Sequence, residues 1–299
     1  MQGSGARRSA NDGVLDLRQP SSRAVPLVVA SPHSGADYSE DFLAASRLDP
    51  LTLRRSEDSF VDEIFAAAPE LGAPLLAARF PRAYLDVNRE PWELDPTMFA
   101  DPVPSFVNVR SPRVRMGLGT IARIVASGDE IYARKLRFAE ARRRVDVLYQ
   151  PYHHELRRLL DETAAEFGGY LLVDCHSMPS AASAAGGHEG ADIVLGDCHG
   201  AACAPHIVEA ARAFLAARDF TVTLNAPYAG GFTTGHYGHP RRNRHAVQIE
   251  LNRSLYMDER SFRRKPGFAR LRADMRDLLA HLGGVMLGML GEPGRAAAE

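Results

Sequence analysis

The stretch that decides the fold is residues 169–177, GYLLVDCHS, an apolar run that ends on a histidine. Its continuous apolar character is typical of a strand buried on both faces of a sheet. Residues 129–167, just before it, are rich in Ala, Arg, Leu and Glu and contain no glycine, which predicts two helices with a break at Pro151. Residues 192–197, DIVLGD, then predict another strand.

The same alternation extends towards both ends of the chain. Residues 26–33 (PLVVASPH) and 245–252 (HAVQIELN) have strand patterns, whereas residues 48–72, 206–218 and 261–279 have the longer amphipathic pattern of helices. Strands interleaved with helices predict an α/β fold, a three-layer sandwich around a central mixed sheet. In such folds the functional residues lie on loops at the strand ends.

Length and composition favour one domain. Of the 299 residues, we expect 14–291 to form it and residues 1–13 and 292–299, which are small and polar, to be disordered tails. No apolar run is long enough to cross a bilayer and the N-terminus does not resemble a signal peptide, so the expected location is cytoplasmic and no membrane partner is expected.

Charge and cysteine content narrow the partners. The formal net charge of −1 gives no global field for nucleic acid, and the arginine-rich stretches 142–144 and 263–265 lie in helix-like sequence as solvated faces. The three cysteines, Cys175, Cys198 and Cys203, argue against a disulfide framework. A small-molecule partner is therefore expected, while the oligomeric state is not predicted.

Two histidines follow predicted strands. His33 comes after the strand that begins at Pro26, and His176 ends the run at 169–177. If these strands are neighbours, both imidazoles can reach one metal ion, and imidazole nitrogen is a preferred zinc ligand. Asp174 supports such a site from behind, or alternatively caps a loop.

An acid-rich segment supplies candidates for a third ligand. Glu57 and Asp58 stand before a predicted helix, where acids commonly act only as caps. One of them is instead a candidate zinc ligand, because catalytic zinc takes three protein ligands and leaves one position for water. The sequence pattern alone does not choose between the two.

Glu250 is the candidate general base. Strand alternation puts Gln248, Glu250 and Asn252 on one face, opposite Val247 and its neighbours. A buried glutamate is costly unless it is paired or used, and beside a zinc-activated water it can accept a proton. A buried ion pair is the alternative.

Two further segments suggest substrate contacts. Asn88 and Arg89 offer a neutral donor and a planar fork that suit a carboxylate, although Arg89 could instead pair with a local acid. Residues 229–240, rich in Gly and Thr, predict a loop that closes on ligand through Gly231, Thr233 and Thr234, with a plain hairpin as the alternative.

In sequence order, these motifs resemble the N-formylglutamate amidohydrolase family from about Pro26 to Glu259. The likeness rests on SPHSG, the ED-SFVDEIF segment, RAYLDVNRE, GLGTIARIV, LLVDCHS, AGGFTTGHYG and QIELNRSLYMDE. It implies a fold similar to that of zinc carboxypeptidases, and a reaction that converts N-formyl-glutamate to formate and glutamate in histidine breakdown.

The resemblance also implies roles for individual residues. His33 and His176 would bind the metal, Glu250 would be the base, and Asn88 with Arg89 would hold a substrate carboxylate. The carboxypeptidase pattern has a glutamate three residues after its first histidine, where this chain has Ala36. We prefer Asp58 as the third ligand, with Glu57 as the alternative, because related members resemble this chain in an aspartate before the VD-x-x-[FY] stretch.

Other functions compete with this one. A deacylase of a different N-acyl amino acid would share the chemistry, since the sequence determines the reaction better than the side-chain pocket. Arg82, Arg113 and Arg123 are candidates for a second carboxylate contact. A non-catalytic binding protein of the same fold is a further alternative, although no C-x-x-C pair is present to build a structural zinc site. Metals other than zinc suit the same ligands.

Overall fold

The computed structural model describes residues 13–125, 127–184 and 190–291, without the side chains of residues 183 and 184. The expected tails therefore lie outside the described residues, except for Gly13.

The described residues form a seven-stranded sheet and a small two-stranded one. In the large sheet the order is β1-β3-β2-β4-β7-β5-β6. Strands β3, β2, β4 and β7 run parallel, while β1, β5 and β6 run in the opposite direction, so the predicted mixed sheet is confirmed. The strands are β1 (Leu15–Arg18), β2 (Leu27–Ser31), β3 (Leu75–Ala78), β4 (Tyr170–Met178), β5 (Ile193–Gly196), β6 (Val222–Leu224), β7 (Arg244–Asn252), β8 (Met257–Asp258) and β9 (Arg263–Arg264).

The helices are mostly short, and two long ones pack on the sheet. They are α1 (Glu40–Ala45), α2 (Pro50–Leu53), α3 (Val61–Ile64), α4 (Pro112–Arg115), α5 (Phe138–Arg144), α6 (Gln150–Phe167), α7 (Ser180–Ala184), α8 (Pro205–Ala216), α9 (Phe232–Tyr237) and α10 (Gly267–Leu290). Short 3-10 turns occupy Arg54–Ser56, Ala68–Leu71, Pro96–Met98, Pro240–Arg242 and Arg253–Leu255, and a π turn occupies Val145–Tyr149.

Two hydrophobic cores lie on opposite faces of the sheet. Val28 of β2 and Leu172 of β4 share one core with Leu156 of α6. Val29 and Val173, the next residues along each strand, share the other core with residues of α8 and α10. Because successive strand side chains point to opposite faces, both faces must be covered by helices. The predicted three-layer α/β sandwich is confirmed.

Several predicted helix boundaries are wrong. The helix expected from residue 129 begins at Phe138, and no break occurs at Pro151, which stands in the first turn of α6 directly after the π turn. A widened turn keeps the proline ring away from the preceding carbonyls, so the helix continues. The last helix runs over Gly267–Leu290 rather than 261–279, because Pro266 precedes its first turn and its glycines do not interrupt it.

Two other expectations are corrected. Residues 48–72 form short turns instead of one helix, with a left-handed residue, Phe60 (φ 68°), just before α3. The segment 229–240, expected to be a loop that closes on ligand, contains the short helix α9 packed on β4 and β7. Its glycines and threonines serve close packing, as described below.

Candidate active site

Three donors converge where the central strands end. His33 follows β2, and His176 lies near the end of β4, the parallel neighbour of β2. The neighbouring strands required by the sequence prediction are therefore present. Asp58 precedes α3, and its backbone N–H donates to the carbonyl of His33 at 3.0 Å, which holds the two segments together.

The donor atoms of these residues face one another. Nδ1 of His33 lies 3.1 Å from Nδ1 of His176, and Oδ2 of Asp58 lies 3.4 Å from the first and 3.1 Å from the second. All three residues are buried, and together they form a group that could hold a metal ion.

The outer nitrogens of both imidazoles face carboxylates. Nε2 of His33 lies 2.7 Å from Oδ1 of Asp86, and Nε2 of His176 lies 3.1 Å from Oδ1 of Asp174. A proton on Nε2 of His33 satisfies Asp86 and leaves a lone pair on the Nδ1 of that residue. That lone pair, Nδ1 of His176 and Oδ2 of Asp58 face one another, and two imidazole nitrogens with a carboxylate fit a divalent metal.

The charge balance of the site favours a cation. Burial by itself would lower the pKa of His176, but Asp174, Asp58 and Glu250 raise it well above its usual range. Burial would also raise the pKa of Asp58, yet its contacts with His176 and His33 and the charge of Arg82 hold it well below the ordinary value. Asp58 is thus ionised, and its negative charge faces the two imidazoles.

Of the two acids proposed as third ligand, Glu57 points elsewhere. Its carboxylate accepts hydrogen bonds from the hydroxyls of Tyr38 and Ser59, both at 2.7 Å, and from Nε of Arg54. Asp58 instead joins the two histidines and forms an ion pair with Nη2 of Arg253 at 3.1 Å. The structure therefore brings together His33, His176 and Asp58, the three metal ligands that the sequence analysis prefers.

Glu250 lies beside this cluster. On the paired strands β4 and β7 it is the direct partner of His176, and Nε2 of Gln248 donates to its Oε1 at 2.8 Å. Burial raises the pKa of Glu250 to about 7, with the opposing charges of His176 and Arg82 acting against this rise. A carboxylate with such a pKa can exchange protons near neutral pH.

A cavity of about 500 Å³ opens onto Glu250. Four arginines and two acids contribute to a wall that is otherwise largely apolar. Its lining residues are Arg55, Ser56, Arg82, Ala83, Asp86, Arg89, Leu118, Gly119, Ala122, Ile124, Ser177, Pro179, Ala181, Ala182, Tyr228, Glu250 and Arg253.

Arg89 lines this cavity, but Asn88 lies behind it. The Asn88 side-chain oxygen accepts from the backbone N–H of Thr233 at 2.8 Å, and its Nδ2 lies 3.2 Å from Nε2 of His176. A Cβ atom at Gly231 would lie 2.2 Å from Nδ2 of Asn88. Gly231 is therefore required for the close approach of α9 to Asn88.

The two threonines expected to contact substrate are fully buried. Thr234 places its hydroxyl 3.4 Å from Oδ2 of Asp174. Together with Thr233, it supports residues that contact His176. Neither threonine nor Gly231 is among the cavity-lining residues.

Of the three arginines proposed for a second carboxylate contact, one lines the cavity and two do not. Arg82 lines the cavity and donates from Nη2 to Oδ2 of Asp86 at 2.7 Å. Arg113 and Arg123 are not among the lining residues, and Arg123 pairs with Asp95.

Sequence reasoning missed three cavity residues: Asp86 as a partner of His33, and Arg253 and Tyr228 as parts of the wall. Arg253 directly follows β7, as His33 follows soon after β2, so its position at a strand end was a usable signal. Asp86 lies in the same motif as Arg89, where the sequence predicts for an acid only a local pair with that arginine. Tyr228 offers no comparable signal.

The model of the N-formylglutamate amidohydrolase family matches residues 25–257. The chain belongs to this family.

Relatives of this family resemble the chain over most of its length. An N-formylglutamate deformylase from Pseudomonas putida is 30% identical over 83% of this chain and 86% of its own. One from Pseudomonas aeruginosa is 30% identical over 86% and 92%. The crystal structure of an N-formylglutamate amidohydrolase from Ralstonia eutropha matches with a TM-score of 0.87 and 36% identity, over 92% of this chain and 99% of that one.

These matches confirm the family predicted from the sequence motifs and the prediction of an amide-hydrolysing enzyme. They also agree with a small molecule as the substrate. Among the described residues, no helix combines the length and apolar character needed to cross a membrane.

Proposed function

We propose that this member of the family hydrolyses N-formyl-L-glutamate to formate and glutamate, with zinc held by His33, Asp58 and His176. The observation that carries the proposal is the convergence of three buried donors beside Glu250 at the wall of an arginine-containing cavity. The deformylases from the two Pseudomonas species support the choice of substrate. A cytoplasmic location and a role in histidine breakdown stay predictions from the sequence.

The chemistry divides between the metal and the protein. A bound zinc ion supplies positive charge that acidifies water and stabilises the negative charge developing on the amide oxygen. Glu250 accepts a proton from the attacking water, whose oxygen bonds to the formyl carbon. When the C–N bond breaks, Glu250 donates that proton to the leaving amine. Glutamate departs as the amine and formate as the acid.

Buried carboxylates keep the imidazoles in the required state. Asp86 accepts the Nε2 proton of His33, which directs its Nδ1 towards the metal position, and Asp174 places a negative charge 3.1 Å from Nε2 of His176. Asp86 also pairs with Arg82, and Arg89 lies 3.6 Å away. We propose that these two arginines attract one carboxylate of the substrate, with Arg89 as the anchor.

Four residues that were expected to contact substrate have an indirect role in this proposal. They are Asn88, Gly231, Thr233 and Thr234. Both polar atoms of the Asn88 carboxamide already contact the protein, so we propose that Asn88 positions His176 rather than binding a carboxylate. Gly231 and Thr233 hold Asn88, and Thr234 lies beside Asp174.

A deacylase of another N-acyl amino acid is the second candidate, because Leu118, Ala122 and Ile124 give the cavity an apolar side. Release of free amine from N-formyl-glutamate, N-formyl-aspartate and N-acetyl-glutamate separates the two. We expect the highest kcat/KM for N-formyl-glutamate. Faster release from N-acetyl-glutamate would favour the second candidate, and hydrolysis of none would refute both the substrate class and the reaction.

A further inference from the structure

The four arginines of the cavity differ in how many of their guanidinium nitrogens contact other protein groups. Arg253 is 6% exposed, and its three guanidinium nitrogens contact Ser177, the carbonyl of Arg55 and Asp58. Arg89 donates to the carbonyls of Leu118 and Asn88. Arg82 donates to Asp86.

Arg55 is the least engaged of the four. Its Nη1 lies 3.8 Å from Oδ2 of Asp129, beyond hydrogen-bond distance, and its side chain is 53% exposed. It also lines an adjoining recess of about 210 Å³ that shares Arg253 and Pro179 with the main cavity. Arg55 therefore presents a cation at the outer part of the cavity.

The backbone of Arg55 is tied to the metal-binding cluster. Arg253 donates from Nη1 to the carbonyl of Arg55 at 3.1 Å and from Nη2 to Oδ1 of Asp58 at 3.1 Å. One guanidinium thus fixes the start of the Arg55 side chain relative to a residue of the cluster. The preceding Arg54 is engaged by other groups, with its Nε on Glu57 and its guanidinium over the ring of Phe262.

Arg82 donates to Asp86, whose other carboxylate oxygen lies 2.7 Å from Nε2 of His33, so Arg82 lies next to the donor cluster. A substrate with two carboxylates therefore meets Arg82 and Arg89 near the scissile amide and Arg55 further out. In an N-acylglutamate, two methylene groups carry the second carboxylate away from the α-carbon.

Resting on the function proposed above, we propose that Arg55 forms a second carboxylate subsite, which binds the side-chain carboxylate and selects acidic over neutral N-acyl amino acids.

The test compares N-formyl-glutamate with its neutral isostere N-formyl-glutamine, in wild type and in Arg55→Gln. A charge-assisted contact at a half-exposed site corresponds to a change of about 10-fold in kcat/KM. We expect Arg55→Gln to lose about that factor on N-formyl-glutamate, mainly through KM, and to keep its rate on N-formyl-glutamine. Arg55→Lys retains the charge and should restore part of the preference.

Arg47→Gln is the matched control. Arg47 is 51% exposed and pairs with Glu130 at 3.3 Å, next to the acid that faces Arg55, but it does not line the cavity. The variant Arg47→Gln should leave the preference for N-formyl-glutamate over N-formyl-glutamine unchanged. Equal losses on both substrates in Arg55→Gln, or no change on either, would overturn the subsite.

Calorimetric binding of glutamate and glutamine provides a readout that does not need turnover. Preferential binding of glutamate that Arg55→Gln abolishes would support the subsite even if wild type hydrolysed no N-formyl-glutamate, and in that case only the proposed reaction would be refuted. Equal binding of both amino acids by wild type would overturn the subsite.

Discussion

Glu250 on β7 is the direct cross-strand partner of His176 on β4, and it is one of the residues that line the cavity. Two neighbouring parallel strands therefore deliver a candidate base and a candidate ligand to the same end of the sheet. This relationship makes the role of Glu250 open to a direct test.

Glu250→Gln should lower kcat by about 10²-fold to 10⁴-fold, the usual contribution of a general base. Gln248 can still donate to the amide oxygen of the variant, so the local structure should persist. Steady-state kinetics with metal content per chain check this expectation, and the exposed Glu63→Gln serves as control. A variant with wild-type turnover would remove Glu250 from the mechanism.

Asp86→Asn should weaken metal affinity by about 10-fold to 100-fold, because the asparagine cannot accept the Nε2 proton of His33 as strongly as a carboxylate does. Asp174→Asn removes the negative charge beside Nε2 of His176 and should also weaken metal binding. Competition with a chromophoric chelator measures both affinities. The exposed Asp37→Asn, which removes a partner of Arg79, should bind metal as wild type does. Unchanged affinity in both buried variants would contradict the proposed support of the imidazoles.

Gly231→Ala should disturb the site through Asn88. The added methyl would lie within 2.5 Å of all three outer atoms of the carboxamide and must displace it, at a cost of about 1–3 kcal/mol in unfolding free energy. Denaturant unfolding and activity check both effects. Gly235→Ala in the same helix meets only Sγ of Cys198 at 3.7 Å, so it should retain activity. Equal behaviour of the two variants would argue against the contact.

His153 should make the protein sensitive to mild acid. Burial lowers the pKa of this imidazole to about 4 from 6.5, while its nitrogens contact the Tyr237 hydroxyl and the carbonyl of Val87. The unfolded chain binds a proton as the pH falls below 6.5 and the folded chain does not, so stability falls towards pH 4. This group contributes at most about 3 kcal/mol over that window.

Unfolding free energies of wild type and His153→Gln, measured from pH 7 to pH 4, isolate this contribution. The difference between the two proteins should change in favour of the variant as the pH falls. Parallel pH profiles would show that His153 does not titrate as its buried position implies.

The sequence predicted the parts of the site that lie on strands or just after them. His33, His176 and Glu250 follow from the period of two and from the position of strand ends, and these properties are local. Asp86 and Arg253 depend on how distant segments meet, since Arg253 reaches back to Asp58 across most of the chain. No local pattern encodes that contact.

The segment from Ala229 to Gly238 shows most clearly what could not be predicted from the sequence. Its glycines and threonines are typical of a flexible loop, but Gly231 is small because Asn88 lies against it, and Thr233 is buried. Tertiary packing therefore overrides the local tendency, and a helix forms where a loop was expected. Similarly, the π turn before Pro151 could not be inferred from the residues that compose it.

The most direct test of the central claim is formate release from N-formyl-L-glutamate by protein stripped of metal and then titrated with zinc. We expect no turnover in the stripped protein and a rise that saturates at about one ion per chain, since one three-ligand cluster is present among the described residues. Full turnover by the stripped protein, or none after zinc is bound, would contradict the account.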